Sequence, residues 1–352
     1  MNSVSIDISF IIPTYNVEKY IIECLDSIIK LRQCSYEIIL IDDGSTDSTL
    51  RLISQYSTNN SFIKVITSKH LGAASARNKG LDIARGKWIC FIDGDDFIQA
   101  EALDKCHSNL NEDIDIIFFD YTDYSIKKTI RHTNVNINSV LSRNDLKRFF
   151  LGTLERNYNP IAPQIIAPWA KLFKKDFLAD NKLMFTQGIR KSHDVLFAFE
   201  AYRKANKAAY VHENVYYYRY NPTSLCNKYI PGVSNDYYRI EHKMHCILQE
   251  SFCFEDVKPN FYFRCIANLM YSIQLDFCHW DNPYPYKKRK EMFLQAQSNE
   301  YLKEALSCID FTKYRIYEKV IIRCIKNRWF LAIDIIYKTY FGVRKIRRNL
   351  KT

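Results

Sequence analysis

The chain has 352 residues, 47% hydrophobic and 25% charged, a composition that excludes a disordered protein. Gly and Pro number only 9 each, which excludes collagen-like and low-complexity architectures. Lys and Arg total 50 against 39 Asp and Glu, a surplus of +11 whose location decides between nucleic acid, membrane phosphates and anionic substrates as partners. The length allows one large domain and a smaller one. Eleven cysteines are an odd count with no CxxC pair. Met1 to Ile12 lacks the basic start of a secretory signal, so the expectation is a cytoplasmic protein whose thiols stay reduced and pack as small hydrophobes. His242, His245 and Cys246, with Cys278 and His279 further on, match no standard zinc spacing. No apolar run reaches the roughly 18 residues of a membrane span.

In chain order, Ile8 to Pro13 is an apolar run ended by Pro and reads as a buried strand. Val17 to Leu31 places apolar residues at helical spacing. Strands are expected at 37–41, 62–66 and 88–92. Helices are expected between them, one capped by Ser45 or Thr46 and one over 72–84 closed by Gly86. This βαβαβαβ series predicts an α/β fold with a parallel sheet and crossover helices. Further strands are expected at 114–119 and 209–220, helices at 143–152 and 193–206, and an all-helical region beyond Ser234. The resulting division is 1–105, 106–230 and 231–352.

Ligands of open parallel sheets sit beyond the carboxyl ends of the strands. Three such ends here read Pro13-Thr14-Tyr15-Asn16, Asp42-Asp43-Gly44-Ser45 and Asp93-Gly94-Asp95-Asp96. Crowded carboxylates need a counter-ion or donors, and hard oxygen ligands suit Mg²⁺ or Mn²⁺ bridging to phosphates. Read singly, each cluster is a turn or a helix cap. Two phosphate motifs fail. No GxGxxG follows the first strand. Gly80 to Lys87 has five residues between its glycines where a P-loop has four, is followed by Trp88, and precedes a strand where a P-loop opens a helix.

SFIIPTYN (9–16), EIILIDDGSTDST (37–49), GAASARNKGL (72–81) and GKWICFIDGDD (86–96), in that order, resemble family 2 of the glycosyltransferases with its GT-A, Rossmann-like and mostly parallel fold. Trp169-Ala170-Lys171-Leu172 resembles the W-x-K-L segment of bacterial polysaccharide glycosyltransferases, and His193-Asp194 resembles their E-D segment. The resemblance covers roughly 5 to 220. It implies that Pro13, Thr14 and Tyr15 line the nucleotide pocket with Glu18 close by, that Asp43 bonds the base, and that Arg77 helps hold the donor. By the same resemblance Asp93, Gly94 and Asp95 form the D-x-D motif, in which Asp93 faces the ribose or sugar and Asp95 holds Mn²⁺ or Mg²⁺. Asp194 is then the base that deprotonates the acceptor hydroxyl. Trp169 and Lys171 belong to the acceptor side, Trp169 as a stacking platform or else a core residue, Lys171 as the partner of a carboxylate or phosphate. His70 and His193 depart from the pattern, standing where Asn and Glu are usual. His193 either binds the acceptor and tunes Asp194 or is a neutral cap.

The expected activity is inverting transfer of a sugar from a nucleotide-diphosphate donor, UDP-linked, to a growing, lipid-linked or free glycan in capsule, O-antigen or exopolysaccharide assembly. The alternatives are a nucleotidyltransferase on a similar sheet and a non-catalytic, membrane-associated nucleotide-sugar-binding protein. Residues 321–352 hold nine basic side chains and one acid, so most of the +11 sits there. They flank the aromatic-rich run 329–341, which as a helix is only about 20 Å long. This predicts contact with the anionic inner face of a membrane, with a core-packed helix and a solvated tail as the plain alternative, and no nucleic-acid partner.

Overall fold

The computed structural model describes residues 6–106, 110, 113–124, 129–131, 140–154, 166–221, 228–251 and 254–349, with side chains at all of these except 129–131 and 343–349. The chain divides into two units, Met1–Thr153 with Asn157–Asn221, and Leu154–Arg156 with Pro222–Thr352.

The first unit opens with β1 (Ile8–Thr14), α1 (Ile21–Ile28), β2 (Tyr36–Asp42), α2 (Thr49–Thr58), β3 (Ile63–Thr67), α3 (Ala73–Ile83) and β4 (Trp88–Phe91). It continues with β5 (Phe97–Ile98), α4 (Ala100–Lys105), β6 (Ile116–Tyr124), β7 (Thr129–Arg131), β8 (Val140–Leu141) and α5 (Arg143–Gly152). It closes with β9 (Lys171–Lys174), α6 (Lys175–Asp180), α7 (His193–Lys204) and β10 (Ala208–Arg219). One sheet holds these strands in the order β3-β2-β1-β4-β9-β6-β10-β5, with β7 beside β6 and β8 beside β10. β1 to β4 are mutually parallel, as the continuous apolar runs require of strands covered on both faces. β9 enters antiparallel between β4 and β6, and β10 returns parallel to β6.

The helices begin later than their apolar spacing implies. α1 starts at Ile21, not Val17, because residues 16–18 are tied to the loop after β2. The Asn16 carboxamide accepts the Thr46 N–H (2.8 Å), Val17 N–H donates to the Thr49 hydroxyl (2.9 Å), and the Glu18 carboxylate accepts the Ser48 N–H (2.9 Å). The same bonds delay α2 to Thr49. Side chains of Ser, Thr, Asn and Asp thus outcompete the helix for backbone groups in both loops. Gly80 lets α3 lie against β1, since a Cβ there would stand 2.4 Å from Ile11 Cγ2.

The second unit is helical over its described residues: α8 (Val233–Ser251), α9 (Phe254–Ser272), a π-turn (Ile273–Phe277), α10 (Tyr286–Ala296), α11 (Glu300–Ser307), a 3₁₀ turn (Phe311–Lys313), α12 (Ile316–Lys326) and α13 (Phe330–Asn349). Its interior holds paired polar groups. Glu241 accepts from Asn268 (2.9 Å) and Asn299 (3.1 Å), and Arg289 forms a fork with Asp334 at 2.5 and 3.1 Å. His242 bonds the Tyr301 hydroxyl. Nine described cysteines are free thiols, and among the described residues no helix is long and apolar enough to cross a membrane.

Candidate active site

The carboxyl ends of β1, β2 and β4 meet at one rim. Register places Thr14 beside Asp42 and Ile11 beside Phe91. Thr14 is buried, its hydroxyl on the Ile41 carbonyl, and its own carbonyl accepts the Asp43 N–H at 2.9 Å. Tyr15 is 42% exposed and its ring lies 4.2 Å from the His70 ring. Pro13 is half-buried next to it. Gly94 approaches this turn so closely that a Cβ would stand 3.2 Å from the Pro13 carbonyl oxygen.

Asp43 is 3% exposed, and its two carboxylate oxygens accept the Leu71 and Gly72 N–H groups at 2.8 and 2.7 Å. It therefore shapes the start of α3, and each oxygen keeps a second lone pair. Gly72 stands at φ +89° there, a conformation costly for any side chain. Asp42 turns one oxygen to the Gly44 and Ser45 N–H groups and leaves Oδ1 buried without a hydrogen-bond partner.

Arg77, one turn into α3, is 5% exposed. Its Nη2 donates to Asp93 Oδ1 at 2.6 Å, its Nη1 meets His193 Nε2 at 3.0 Å, and Phe185 covers its face. Three segments distant in sequence are joined at this one guanidinium. A guanidinium only donates, so Nε2 is the acceptor and the imidazole proton belongs on Nδ1, which is buried without a partner. Burial pushes the His193 pKa down to about 4, opposed by Asp194 and reinforced by Arg77. His193 is therefore neutral at physiological pH. Asp194 follows it in the first turn of α7, where a carboxylate is favoured by the helix N-terminus. Among the described residues its carboxylate accepts one hydrogen bond, from the Val195 N–H beside it in sequence.

Lys171 is fully buried, with Nζ on the Ala167 carbonyl at 2.6 Å. Burial lowers its pKa to about 7, while the charge of Asp194 raises it. Trp169 is 6% exposed. Its ring stacks on Tyr216 at 4.8 Å and Tyr218 at 5.3 Å, so this is the core position and not an open platform for a sugar. Glu18 lies before α1 and not on it, and one of its carboxylate oxygens accepts the Ser48 N–H of the loop after β2.

The D-G-D-D loop is gripped by residues that the motifs do not mark. The Tyr216 hydroxyl donates to Asp96 at 2.6 Å and accepts the Asp93 N–H at 3.2 Å. Arg219 donates its N–H to Asp96 and its Nε to the Asp95 carbonyl, and Asn221 donates to Asp95 at 2.9 Å. Tyr216 and Arg219 come from the end of β10, and Asn221 lies two residues beyond it. The Tyr216-Tyr217-Tyr218-Arg219 run was the available signal, but only the pairing of β10 with β5, which follows the acids directly, brings it to them. Burial pushes the Asp95 carboxyl up, with the Asp93 charge adding to the effect, and burial with both neighbours pushes Asp96 up further. Asp96 has both oxygens bonded within the chain. Among the described residues, no group of three or more His, Cys, Asp and Glu is arranged to hold a metal by itself.

The family model for glycosyl transferase family 2 matches residues 9–180. The chain is 30% identical over 220 residues to the uncharacterized glycosyltransferase EpsJ of Bacillus subtilis, an alignment covering 62% of each. It is 34% identical over 220 residues to the poly(ribitol-phosphate) beta-glucosyltransferase of Bacillus spizizenii, covering 60% of this chain and 32% of that one. The match thus spans less than two thirds of these relatives. Among solved structures, residues 1–349 of S. aureus TarS align with a TM-score of 0.63 at 19% identity, over 96% of this chain and 91% of that one, which shows the shared fold.

Proposed function

We propose that this chain, whose residues 9–180 belong to glycosyl transferase family 2, moves a sugar from a UDP-sugar to a hydroxyl of a growing glycan, with inversion and with Asp194 as base. The observation that carries this is the Arg77 bridge, which holds Asp93 of the donor rim and the His193-Asp194 turn on one cation. Donor and acceptor chemistry need that proximity, because a near-attack geometry replaces an encounter between two molecules. A structure of TarS in complex with UDP-GlcNAc, TM-score 0.56, supports UDP as the nucleotide. The named poly(ribitol-phosphate) enzyme supports a polymeric acceptor, lipid-linked or free.

In this reading Tyr15 and His70 receive the nucleotide's base with Asp43, and Asp93 faces the ribose or sugar, kept in place by Arg77 and the Tyr216 hydroxyl. Asp194 takes the proton of the acceptor hydroxyl as the new C–O bond forms. One base and one displacement invert the anomeric carbon. Neutral His193 leaves the Asp194 carboxylate without a competing cation on its neighbour. Asp95 fits a divalent cation, Mn²⁺ or Mg²⁺. It is a half-buried carboxylate beside a second one, with Asn221 as a neutral donor. As the described residues form no protein cage, the remaining ligands would be donor phosphates and water. A cation there would neutralise charge on the departing diphosphate.

Thermal melts with UDP, with and without Mn²⁺, test the reading. UDP with Mn²⁺ is expected to stabilise the chain, and Asp95→Ala to remove the Mn²⁺-dependent part. No stabilisation by any nucleoside diphosphate would overturn it.

A further inference from the structure

α12 and α13 turn their side chains the wrong way round for a helix pair that meets only water. Residues 311–342 contain two acids, Glu318 and Asp334, and both are buried. The Glu318 carboxylate accepts the Arg315 N–H at 3.0 Å, and Asp334 is held by Arg289 and Lys338. Outside stand large apolar residues. Ile316 is 83% exposed, Val320 44%, Trp329 60%, Leu331 59% and Ile335 56%. Their spacing forms two strips, Ile316-Val320 on α12 and Leu331-Ile335 on α13, each one turn apart. Each strip runs on into basic residues, Arg323 on α12 and Lys338 on α13, and Lys326 and Arg328 are exposed at the turn beside Trp329. Exposed apolar side chains are ordinary when scattered singly, but large ones repeated one turn apart on two successive helices, with Trp329 at the turn between them, mark a contact surface.

We propose that this face of the second unit docks on an anionic lipid surface. The occupant is chosen by charge: apolar groups ringed by cations, with every acid of the segment turned inward, match acyl chains beneath anionic headgroups. Trp at the turn suits the interface, where an indole keeps an apolar body and a polar N–H. The contact is peripheral. The strips are two turns of helix deep at most and no described helix spans a bilayer. The proposal stands whether or not the first unit is an enzyme.

Sedimentation of the full chain with vesicles tests it, using neutral phosphatidylcholine and the same lipid with phosphatidylglycerol. Binding is expected to the anionic vesicles, weak to the neutral ones, and to fall with salt. Each cation near such a surface strengthens binding about fivefold, so Arg323→Glu with Lys326→Glu is expected to weaken it at least about 25-fold. Trp329→Ser with Leu331→Ser is expected to weaken it about tenfold or more. All four positions are exposed, so the Trp329/Leu331 variant should keep the parent melting temperature, and the charge variant, which places acids in the last turn of α12, should melt slightly lower but still cooperatively. Absence of binding to anionic vesicles overturns the proposal. So does a dimer in light scattering that the Trp329/Leu331 variant dissolves, because the face then belongs to a second copy.

Discussion

Arg77 and Asp194 divide the labour at the site. Arg77 is buried and saturated on two sides, so it positions Asp93 and His193 without facing solvent. Asp194 is less enclosed, and among the described residues its carboxylate accepts one hydrogen bond, from the Val195 N–H, which leaves lone pairs for the proton its proposed role as base requires. Asp194→Asn keeps the size and the N-terminal position on α7 but cannot take a proton. It is expected to lower transfer about a hundred- to ten-thousandfold. UDP-sugar affinity, measured by calorimetry, should stay within about twofold on the same reasoning, since the base acts on the acceptor. If donor binding falls with turnover, Asp194 is not the base.

At the scale of elements, the site depends on how α3 sits on β1 and how β10 ends. α3 delivers Arg77, and its depth is set by Gly80 against Ile11 and Ile41. Gly80→Val would drive a branched side chain into that contact. It is expected to cost about 2–3 kcal/mol by overpacking, read as a lowered midpoint in urea. It should also weaken donor binding, because α3 must lift and carry Arg77 away from Asp93. Equal stability of the variant would show that α3 has room to shift. At β10, Trp169 stacks on Tyr216, whose hydroxyl donates to Asp96, so of the two roles open to this tryptophan in the sequence the packing is that of a core residue behind the rim.

At the scale of the whole molecule, one buried carboxyl of the second unit ties stability to pH. Buried Glu241 in the second unit has its pKa pushed up to about 8 by desolvation, against the pull of Asn268, Asn299 and Arg264. The folded chain then binds this proton more tightly than the unfolded chain, whose Glu titrates at its ordinary value of 4.5. The stabilisation is full below that value and is lost as pH rises through about 8. Glu241→Gln is expected to flatten this part of the stability curve in melts from about pH 5 to 9. An unchanged slope would place its origin elsewhere. The charge surplus is also uneven. It gathers at the end of the chain, where the described cations Arg323, Lys326, Arg328 and Lys338 are exposed, and leaves the first unit with an acidic rim.

The order of strands and helices over the first hundred residues was legible because each element carries its own periodicity, and apolar runs bounded by polar loops admit few other folds. The acids at the strand ends were legible for the same reason, since a parallel sheet puts all such ends on one rim. What the sequence could not decide were contacts that no local pattern encodes. Nothing near Tyr216 predicts Asp96, because they meet only through the pairing of β10 with β5. Glu18 falls within a stretch of helical spacing, yet its bond with the Ser48 N–H belongs to the loop and α1 begins only at Ile21. His193 reads as a titratable neighbour of the base until burial against Arg77 removes its charge. Periodicity is a property of the chain. Burial, and the partner each polar group finds there, is decided by the tertiary structure, where desolvation makes every unpaired charge expensive.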